Sequence, residues 1–190
     1  MPHYIPADTA AADLLKVADR IMVIGCSGGG KSSLSQKLCA YLDLPYISMD
    51  RDFFWLPGWI KRAKPEERRL ISDAVALDRW LMDGSGPSTF DLRVPRTHLV
   101  LWVKRSRWAC LWGVAKRGIR YIGRTRPDMA PGCVERFPDI EFLRYIWTFD
   151  RTFAPRIAGE LELHGPDIPV LVLKSRKDMQ RLLDLVGVPA

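Results

Sequence analysis

The chain contains 190 residues, of which 47% are hydrophobic and 27% are charged, and its formal net charge at pH 7 is +7. These values exclude a disordered or repetitive chain and predict one compact domain over residues 1–190, because single domains usually contain about 100–200 residues. No segment has the run of about 18 apolar residues that a membrane span requires, and the four cysteines lack the spacing of a zinc site. The acidic residues within segment 1–19 argue against a signal peptide, so we expect a cytoplasmic protein with free thiols, anionic partners and no membrane contact.

Short apolar runs alternate with helical patterns from residue 20 onward. This alternation predicts an α/β fold, with a parallel sheet that is covered by helices on both faces. Residues 1–19 precede the first run, and we interpret them as an N-terminal extension. The runs predict strands at residues 21–24, 46–48, 80–82, 99–103 and 170–173.

Apolar residues at helical spacing predict the crossover helices between these strands. One such stripe follows the fourth predicted strand, and we expect it to face the core. Its members are Trp108, Leu111, Trp112, Ala115 and Ile119. From residue 121 to 138, glycine, proline and arginine interrupt every period, and we interpret this long irregular stretch as a lid.

A glycine-rich segment, residues 25–32, follows the first predicted strand and precedes a helical pattern. It matches the P-loop pattern G-x-x-x-x-G-K-[ST], in which backbone N–H groups surround phosphate oxygens, the lysine reaches the terminal phosphates and the hydroxyl binds Mg²⁺. We therefore predict ATP and Mg²⁺ as cofactors, with Lys31 also catalytic. The alternative is a glycine-rich turn without a ligand. The predicted cofactor-binding residues are Gly25, Ser27, Gly28, Gly29, Gly30, Lys31, Ser32 and Ser33.

Two aspartates follow the second and third predicted strands. Because ligands bind at the carboxyl ends of parallel strands, Asp50 and Asp83 are expected to face the same crevice as the glycine-rich segment. We predict that Asp50 is catalytic and contacts the acceptor, and that Asp83 joins Ser32 in supporting the metal. The alternative for either aspartate is a structural role in a helix cap or turn.

Aromatic side chains are frequent near Asp50, and guanidinium groups precede the fourth predicted strand. Trp55 and Trp59 are predicted to line the acceptor site as a pair, although packing of a loop onto the core would also explain them. Arg93 is predicted to bind a second anionic group, because a planar guanidinium suits phosphate or carboxylate.

Basic residues are concentrated between residues 104 and 126, a stretch without Asp or Glu. Arg117, Arg120 and Arg124 are predicted to be catalytic. Arg117 and Arg120 share a face of a helix that leads into the lid, and closure of the lid could carry the three guanidinium groups onto the transferring phosphoryl group. The alternative is a solvated helix face, which is the usual meaning of a charge run.

Several of these motifs together resemble the adenylate-kinase-like P-loop proteins that are often labelled topology-modulation proteins. The resemblance covers residues 20–175 and implies a five-stranded parallel sheet of nucleoside-monophosphate-kinase type, with a mobile lid over ATP. It also implies that Asp83 supports Mg²⁺ and that Arg93 binds the acceptor phosphate. Adenylate kinases have Asp-Gly-Phe-Pro-Arg where this chain has Asp83-Gly84-Ser85-Gly86-Pro87, so the arginine is displaced. The matching motifs are the glycine-rich segment, Met49-Asp50, Phe54-Trp55, Pro57-Gly58-Trp59, Met82-Asp83-Gly84, Asp91-Leu92-Arg93, Gly132-Cys133 and Glu135-Arg136-Phe137.

The sequence as a whole predicts an ATP-dependent kinase that transfers the γ-phosphoryl group to a small acceptor, a nucleotide or a nucleoside. A kinase of a small hydroxylated metabolite is an alternative, and Asp50 would then accept the hydroxyl proton. The basic charge leaves open a nucleotide-regulated protein that binds nucleic acid, although no recognisable nucleic-acid-binding module is present. The sequence makes no prediction of the oligomeric state.

Overall fold

The computed structural model describes residues 1–189 of the chain. Six parallel strands form one sheet in the order β1-β8-β7-β2-β6-β3, and β4 and β5 form a separate antiparallel hairpin. The strands are β1 (His3–Ile5), β2 (Arg20–Gly25), β3 (Tyr46–Ser48), β4 (Trp55–Leu56), β5 (Ile60–Lys61), β6 (Trp80–Asp83), β7 (Leu99–Val103) and β8 (Pro169–Leu173). The helices are α1 (Thr9–Val17), α2 (Lys31–Leu42), α3 (Lys64–Val75), α4 (Phe90–Arg93), α5 (Arg107–Tyr121), α6 (Ile140–His164) and α7 (Arg176–Val186).

Each of the five predicted strands is present, but the predicted number of strands in the sheet was wrong. The sixth strand, β1, comes from the N-terminal extension and pairs with β8 from His3↔Pro169 to Ile5↔Leu171. This strand has three residues and lies at the edge of the sheet, so it lacks the apolar run by which a buried strand is recognised. Backbone hydrogen bonds to the otherwise unpaired edge of β8 hold it in place.

The central strands are apolar without alternation because helices cover both faces of the sheet. In β2, Met22 and Ile24 pack into the core under α3, α5 and α6, whereas Ile21 and Val23 pack into the core under α1, α2 and α7. No helix within residues 1–189 is long and apolar enough to cross a bilayer.

The predicted core-facing stripe of α5 was wrong except at Leu111, which packs against the core. Trp108, Trp112 and Ile119 are 67%, 66% and 77% exposed, and the helix instead buries a face of small residues that includes Gly118. The reason is close packing against the glycine-rich segment: a Cβ atom at Gly113 would clash with the carbonyl oxygen of residue 28. Only small side chains fit at this contact, so the large ones point away from the core.

The segment between α5 and α6 is irregular, as predicted, but it is folded back on itself. Isolated bridges pair Ile122 with Glu135 and Thr125 with Val134. Buried residues of the segment, among them Cys133, pack against the β4–β5 hairpin. We keep the name lid segment for residues 121–138, and its motion stays a prediction.

Candidate functional site

The glycine loop, residues 25–32, joins the end of β2 to the start of α2. Gly28 has φ +77°, and a Cβ atom there would clash with the carbonyl oxygen of Cys110 in α5. Both the left-handed backbone and the close approach require glycine. The loop therefore has a tightly curled backbone at a helix N-terminus, which is the arrangement that binds phosphate groups.

A cavity of about 440 Å³ opens above this loop, and we call it the loop cavity. Of the eight predicted cofactor-binding residues, Gly29 is buried behind the loop and the other seven line the cavity. The Lys31 ammonium donates a hydrogen bond to the carbonyl oxygen of Cys26 at 3.0 Å. Six basic side chains and three acidic ones line the loop cavity, and they are Lys31, Lys116, Arg117, Arg120, Arg126, Arg176, Asp50, Asp83 and Asp128.

Asp83 ends β6 at the floor of the loop cavity and is buried. Its Oδ2 accepts a hydrogen bond from the Tyr46 hydroxyl at 3.2 Å, whereas its Oδ1 has no hydrogen-bond partner among residues 1–189. Burial raises the pKa of the Asp83 carboxyl, and the nearby Lys31 ammonium and Ser32 hydroxyl oppose that rise. A buried carboxylate oxygen without a partner is costly, and a cation would relieve that cost.

The residues around Asp83 fit Mg²⁺ that arrives with a nucleotide. Residues 1–189 contain no group of three or more acidic, histidine or cysteine side chains that could hold a metal alone. Mg²⁺ is commonly bound by one or two protein ligands together with phosphate oxygens and water. Ser32 and the free oxygen of Asp83 could supply that small share of the ligands.

Asp50 lies in the first turn of a π-helix, Met49–Phe54, which directly follows β3. Ser48 caps this helix, so Asp50 does not have the capping role that was its structural alternative. The Oδ1 atom of Asp50 accepts a hydrogen bond from the Trp55 indole N–H at 3.3 Å. The carboxylate is accessible but enclosed by the cavity walls, and this burial raises its pKa, while Lys31 and Arg126 oppose the rise.

A second cavity of about 380 Å³ lies beside the first, and we call it the aromatic cavity. Trp55 and Trp59 line it as a pair, edge to face, with ring centroids 5.4 Å apart. The Trp59 indole N–H donates to the Val134 carbonyl at 2.8 Å, so the lid segment fixes this ring. Phe142 of α6 contributes a further aromatic ring to the lining.

The three arginines that were predicted to be catalytic differ in their positions relative to the two cavities. Arg117 lines both cavities, and its Nε donates to Glu135 Oε1 at 3.0 Å. Arg120 is exposed and lines the loop cavity. Arg124 is exposed and lines neither cavity. The structure thus brings Arg117 and Arg120 to the site but not Arg124.

Arg126 is a site residue that the sequence analysis did not select. It is buried and lines both cavities, and it donates to Glu135 Oε2 at 2.8 Å and to Asp128 Oδ2 at 3.1 Å. The basic run between residues 104 and 126 contains no Asp or Glu, but acidic residues that follow it in the lid segment neutralise part of its charge. The bends of an irregular segment bring these residues together, and no sequence period reveals them.

Arg93 does not reach either cavity. It is fully buried, and its guanidinium donates to the carbonyl oxygens of residues 84–86 and to the Thr89 hydroxyl. The Ser85 hydroxyl in turn donates to the Gly25 carbonyl and accepts from the Gly25 N–H, each at 2.9 Å. Arg93 thus holds the turn that braces the glycine loop and has no free face for an acceptor.

Comparisons with known proteins agree with this architecture. The chain is 25% identical over 177 residues to adenylate kinase 2 of Nostoc sp. (strain PCC 7120). The alignment covers 82% of this chain and 95% of that protein. Shikimate kinase from Acinetobacter baumannii in complex with shikimate has a TM-score of 0.54 at 13% identity, with 92% and 96% of the two chains covered. Shikimate kinase from Bacteroides thetaiotaomicron has a TM-score of 0.52 at 16% identity, with coverage of 90% and 99%. No protein-family profile matches the chain.

These similarities show an α/β fold of the P-loop kinase type. The narrower resemblance to topology-modulation proteins stays a prediction.

Proposed function

We propose that the protein is an ATP-dependent kinase that transfers the γ-phosphoryl group to a small acceptor. One observation carries this proposal: the loop cavity and the aromatic cavity meet at four shared residues, Ser27, Asp50, Arg117 and Arg126. A donor and an acceptor bound in adjoining cavities would meet at this junction, which a carboxylate and two guanidinium groups line. Phosphoryl transfer depends mainly on such positioning and on charge neutralisation.

The predicted catalytic and metal-binding side chains of the loop cavity have distinct places in this proposal. Mg-ATP supplies the phosphoryl group, and its metal neutralises negative charge on the phosphates. Lys31 contacts the terminal phosphates, and Ser32 and Asp83 hold the metal. Arg120 faces the transferring group, Arg117 lines the same cavity while paired with Glu135, and Asp50 receives or orients the acceptor.

The comparisons support the kinase reaction without identifying the acceptor. The chain is similar to an adenylate kinase and to shikimate kinases, one of which is described with shikimate bound. The aromatic cavity, with two tryptophans in its wall, supports an acceptor with an apolar or aromatic portion.

A binding experiment tests the donor half of this proposal. Lys31→Ala should weaken Mg-ATP binding, measured by calorimetric titration, at least tenfold, because the ammonium contacts phosphate. The variant should stay folded with a Tm close to that of the wild type. Among residues 1–189 the Lys31 ammonium has one hydrogen bond, to a carbonyl oxygen, and its charge offsets the effect of burial on Asp50 and Asp83 only in part.

Lys37→Ala is the matched control, because Lys37 is exposed on the same helix and lies outside the loop cavity. This variant should bind Mg-ATP as the wild type does. Equal affinities for the wild type and Lys31→Ala would refute the assignment of the glycine loop as the nucleotide site.

A further inference from the structure

We propose that the acceptor of this kinase carries no phosphate of its own and attacks through a hydroxyl group, as an uncharged molecule with an aromatic portion. A nucleoside has this chemistry, and a nucleoside monophosphate does not. This inference rests on the proposed function and deepens it by naming the class of acceptor.

The first argument is the charge of the two cavities. Basic side chains outnumber acidic ones six to three around the loop cavity, as a triphosphate requires. Around the aromatic cavity the two kinds are equal in number, three of each. A balanced lining offers no net attraction for a phosphate dianion. The charged residues of the aromatic cavity are Arg117, Arg126, Arg136, Asp50, Glu135 and Asp139.

The second argument is that the two inner guanidinium groups are already occupied. Arg117 and Arg126 bind opposite oxygens of Glu135, at 3.0 and 2.8 Å, and the Glu135 side chain is only 6% exposed. A phosphate that displaced Glu135 from these arginines would leave a buried carboxylate without its partners, and breaking a buried ion pair in this way is strongly destabilising. Arg136 lies exposed at the rim, where Asp139 carries the opposite charge.

The third argument is the position of Asp50. Among residues 1–189 it is the one acidic residue that lines both cavities. A hydroxyl acceptor must lose its proton as it attacks, whereas the oxygen of a phosphate acceptor is already ionised at neutral pH. A carboxylate at the junction therefore suits an alcohol and would repel a second phosphate.

The transfer then balances as follows. The acceptor oxygen forms a bond to the γ-phosphorus, and the bond from that phosphorus to the β–γ bridging oxygen breaks. The electron pair of the broken bond leaves with ADP, and the hydroxyl proton passes to Asp50. The Trp55 indole N–H donates a hydrogen bond to Asp50 Oδ1 at 3.3 Å and so holds the carboxylate in place for this step. Enclosure raises the pKa of Asp50 and so makes it a stronger base than a free aspartate.

Paired acceptors test the class directly. Adenosine, guanosine, cytidine and thymidine are each compared with their 5′-monophosphates, with labelled ATP and Mg²⁺. We expect at least one nucleoside to be phosphorylated with kcat/KM ten times or more that of its monophosphate. A preference for the monophosphate overturns the inference, above all if Arg136→Ala abolishes it.

Failure of this inference is distinguishable from failure of the kinase assignment. If no member of any pair is phosphorylated although Mg-ATP binds in a Lys31-dependent way, the nucleoside class is wrong and the kinase proposal stands. If Mg-ATP does not bind, the kinase proposal itself fails.

Asp50→Asn tests the role of the base. Asparagine has nearly the same size, and the raised pKa of Asp50 means that its ionised form does not stabilise the fold at pH 7, so we expect a Tm no lower than that of the wild type. Nucleoside binding, followed by tryptophan fluorescence, should stay within about threefold of wild type. We expect kcat to fall by about 10²–10⁴-fold, as is typical for the loss of a general base, and the acidic limb of the kcat–pH profile to disappear. Glu141→Gln, at an exposed position of α6, is the control. Unchanged kcat in Asp50→Asn overturns the inference.

Discussion

Asp83 is the residue at which the functional site most clearly lowers the stability of the ligand-free fold. It is buried, and one of its oxygens has no hydrogen-bond partner among residues 1–189. Its pKa in the folded protein is raised, chiefly by burial, above the value of the unfolded chain. The ionised form therefore destabilises the ligand-free fold, and this loss of stability develops as the pH rises from the unfolded pKa through the folded pKa.

Asp83→Asn should for this reason stabilise the ligand-free protein at pH 7 while weakening the Mg²⁺-dependent part of ATP binding. Thermal unfolding should show a higher Tm than wild type at pH 7, and the difference should shrink as the pH is lowered toward about 4. Asp73→Asn, which removes an exposed carboxylate paired with Arg69, should change stability by less than about 1 kcal/mol. A lower Tm for Asp83→Asn at pH 7 would contradict this account.

Residue roles were predictable where the chemistry is local in the sequence. The glycine loop is one continuous segment, so its pattern alone placed Lys31 and Ser32 together, and both line the loop cavity; their roles stay predictions. Arg93 could not be placed in this way, because the same guanidinium can bind a phosphate or three backbone carbonyls. Only the fold decides which acceptors surround it.

At the scale of elements, α5 is the support of the glycine loop. Its Gly113 lies so close to Gly28 that a Cβ atom would clash with the carbonyl oxygen, whereas a Cβ atom at Gly118 would meet nothing within 4 Å. The two glycines lie on the same helix and offer a matched pair of substitutions.

We expect Gly113→Ala to displace the loop and weaken Mg-ATP binding at least tenfold in calorimetric titrations. Gly118→Ala should bind Mg-ATP as wild type does and should raise stability by up to about 1 kcal/mol, because alanine favours the helix. Equal ATP affinities for the two variants would show that α5 does not shape the loop.

The end of α5 and the lid segment supply the arginines of the site. Arg120 lines the loop cavity, and Arg124 lines neither cavity. If Arg120 stabilises the transferring phosphoryl group, Arg120→Ala should lower kcat about tenfold or more and weaken ATP binding much less.

Arg124→Ala is the matched control and should leave steady-state kcat and KM for ATP unchanged. A closing lid that uses Arg124 would instead lower kcat in this variant. Unchanged kcat in both variants would identify Arg120 and Arg124 as solvated surface charges.

Elements with a strong apolar period were predictable, and those fixed by tertiary contacts were not. The central strands are buried on both faces and appear as apolar runs. The short edge strand β1 depends on pairing with β8. The orientation of α5 depends on the close contact at Gly113, which overrides the apolar stripe.

At the scale of the whole molecule, the charge of each cavity matches the substrate that we propose it binds, the nucleotide in the loop cavity and the acceptor in the aromatic cavity. The net charge of +7 indicated an anionic partner but could not locate it. Basic residues are in excess around the loop cavity and are balanced around the aromatic cavity. The proposed donor and acceptor therefore differ in charge, and they meet at Asp50.

The most direct test of the kinase assignment is the fate of the γ-phosphoryl group. Mg-ATP is incubated with the wild type or with Lys31→Ala in the presence of a nucleoside, a nucleoside monophosphate or a small polyol. The phosphorus-containing products are then identified by ³¹P NMR. The account predicts that the wild type forms ADP and a phosphorylated acceptor in equal amounts and that Lys31→Ala forms neither. ADP accompanied only by inorganic phosphate, or no turnover with any acceptor, would contradict it.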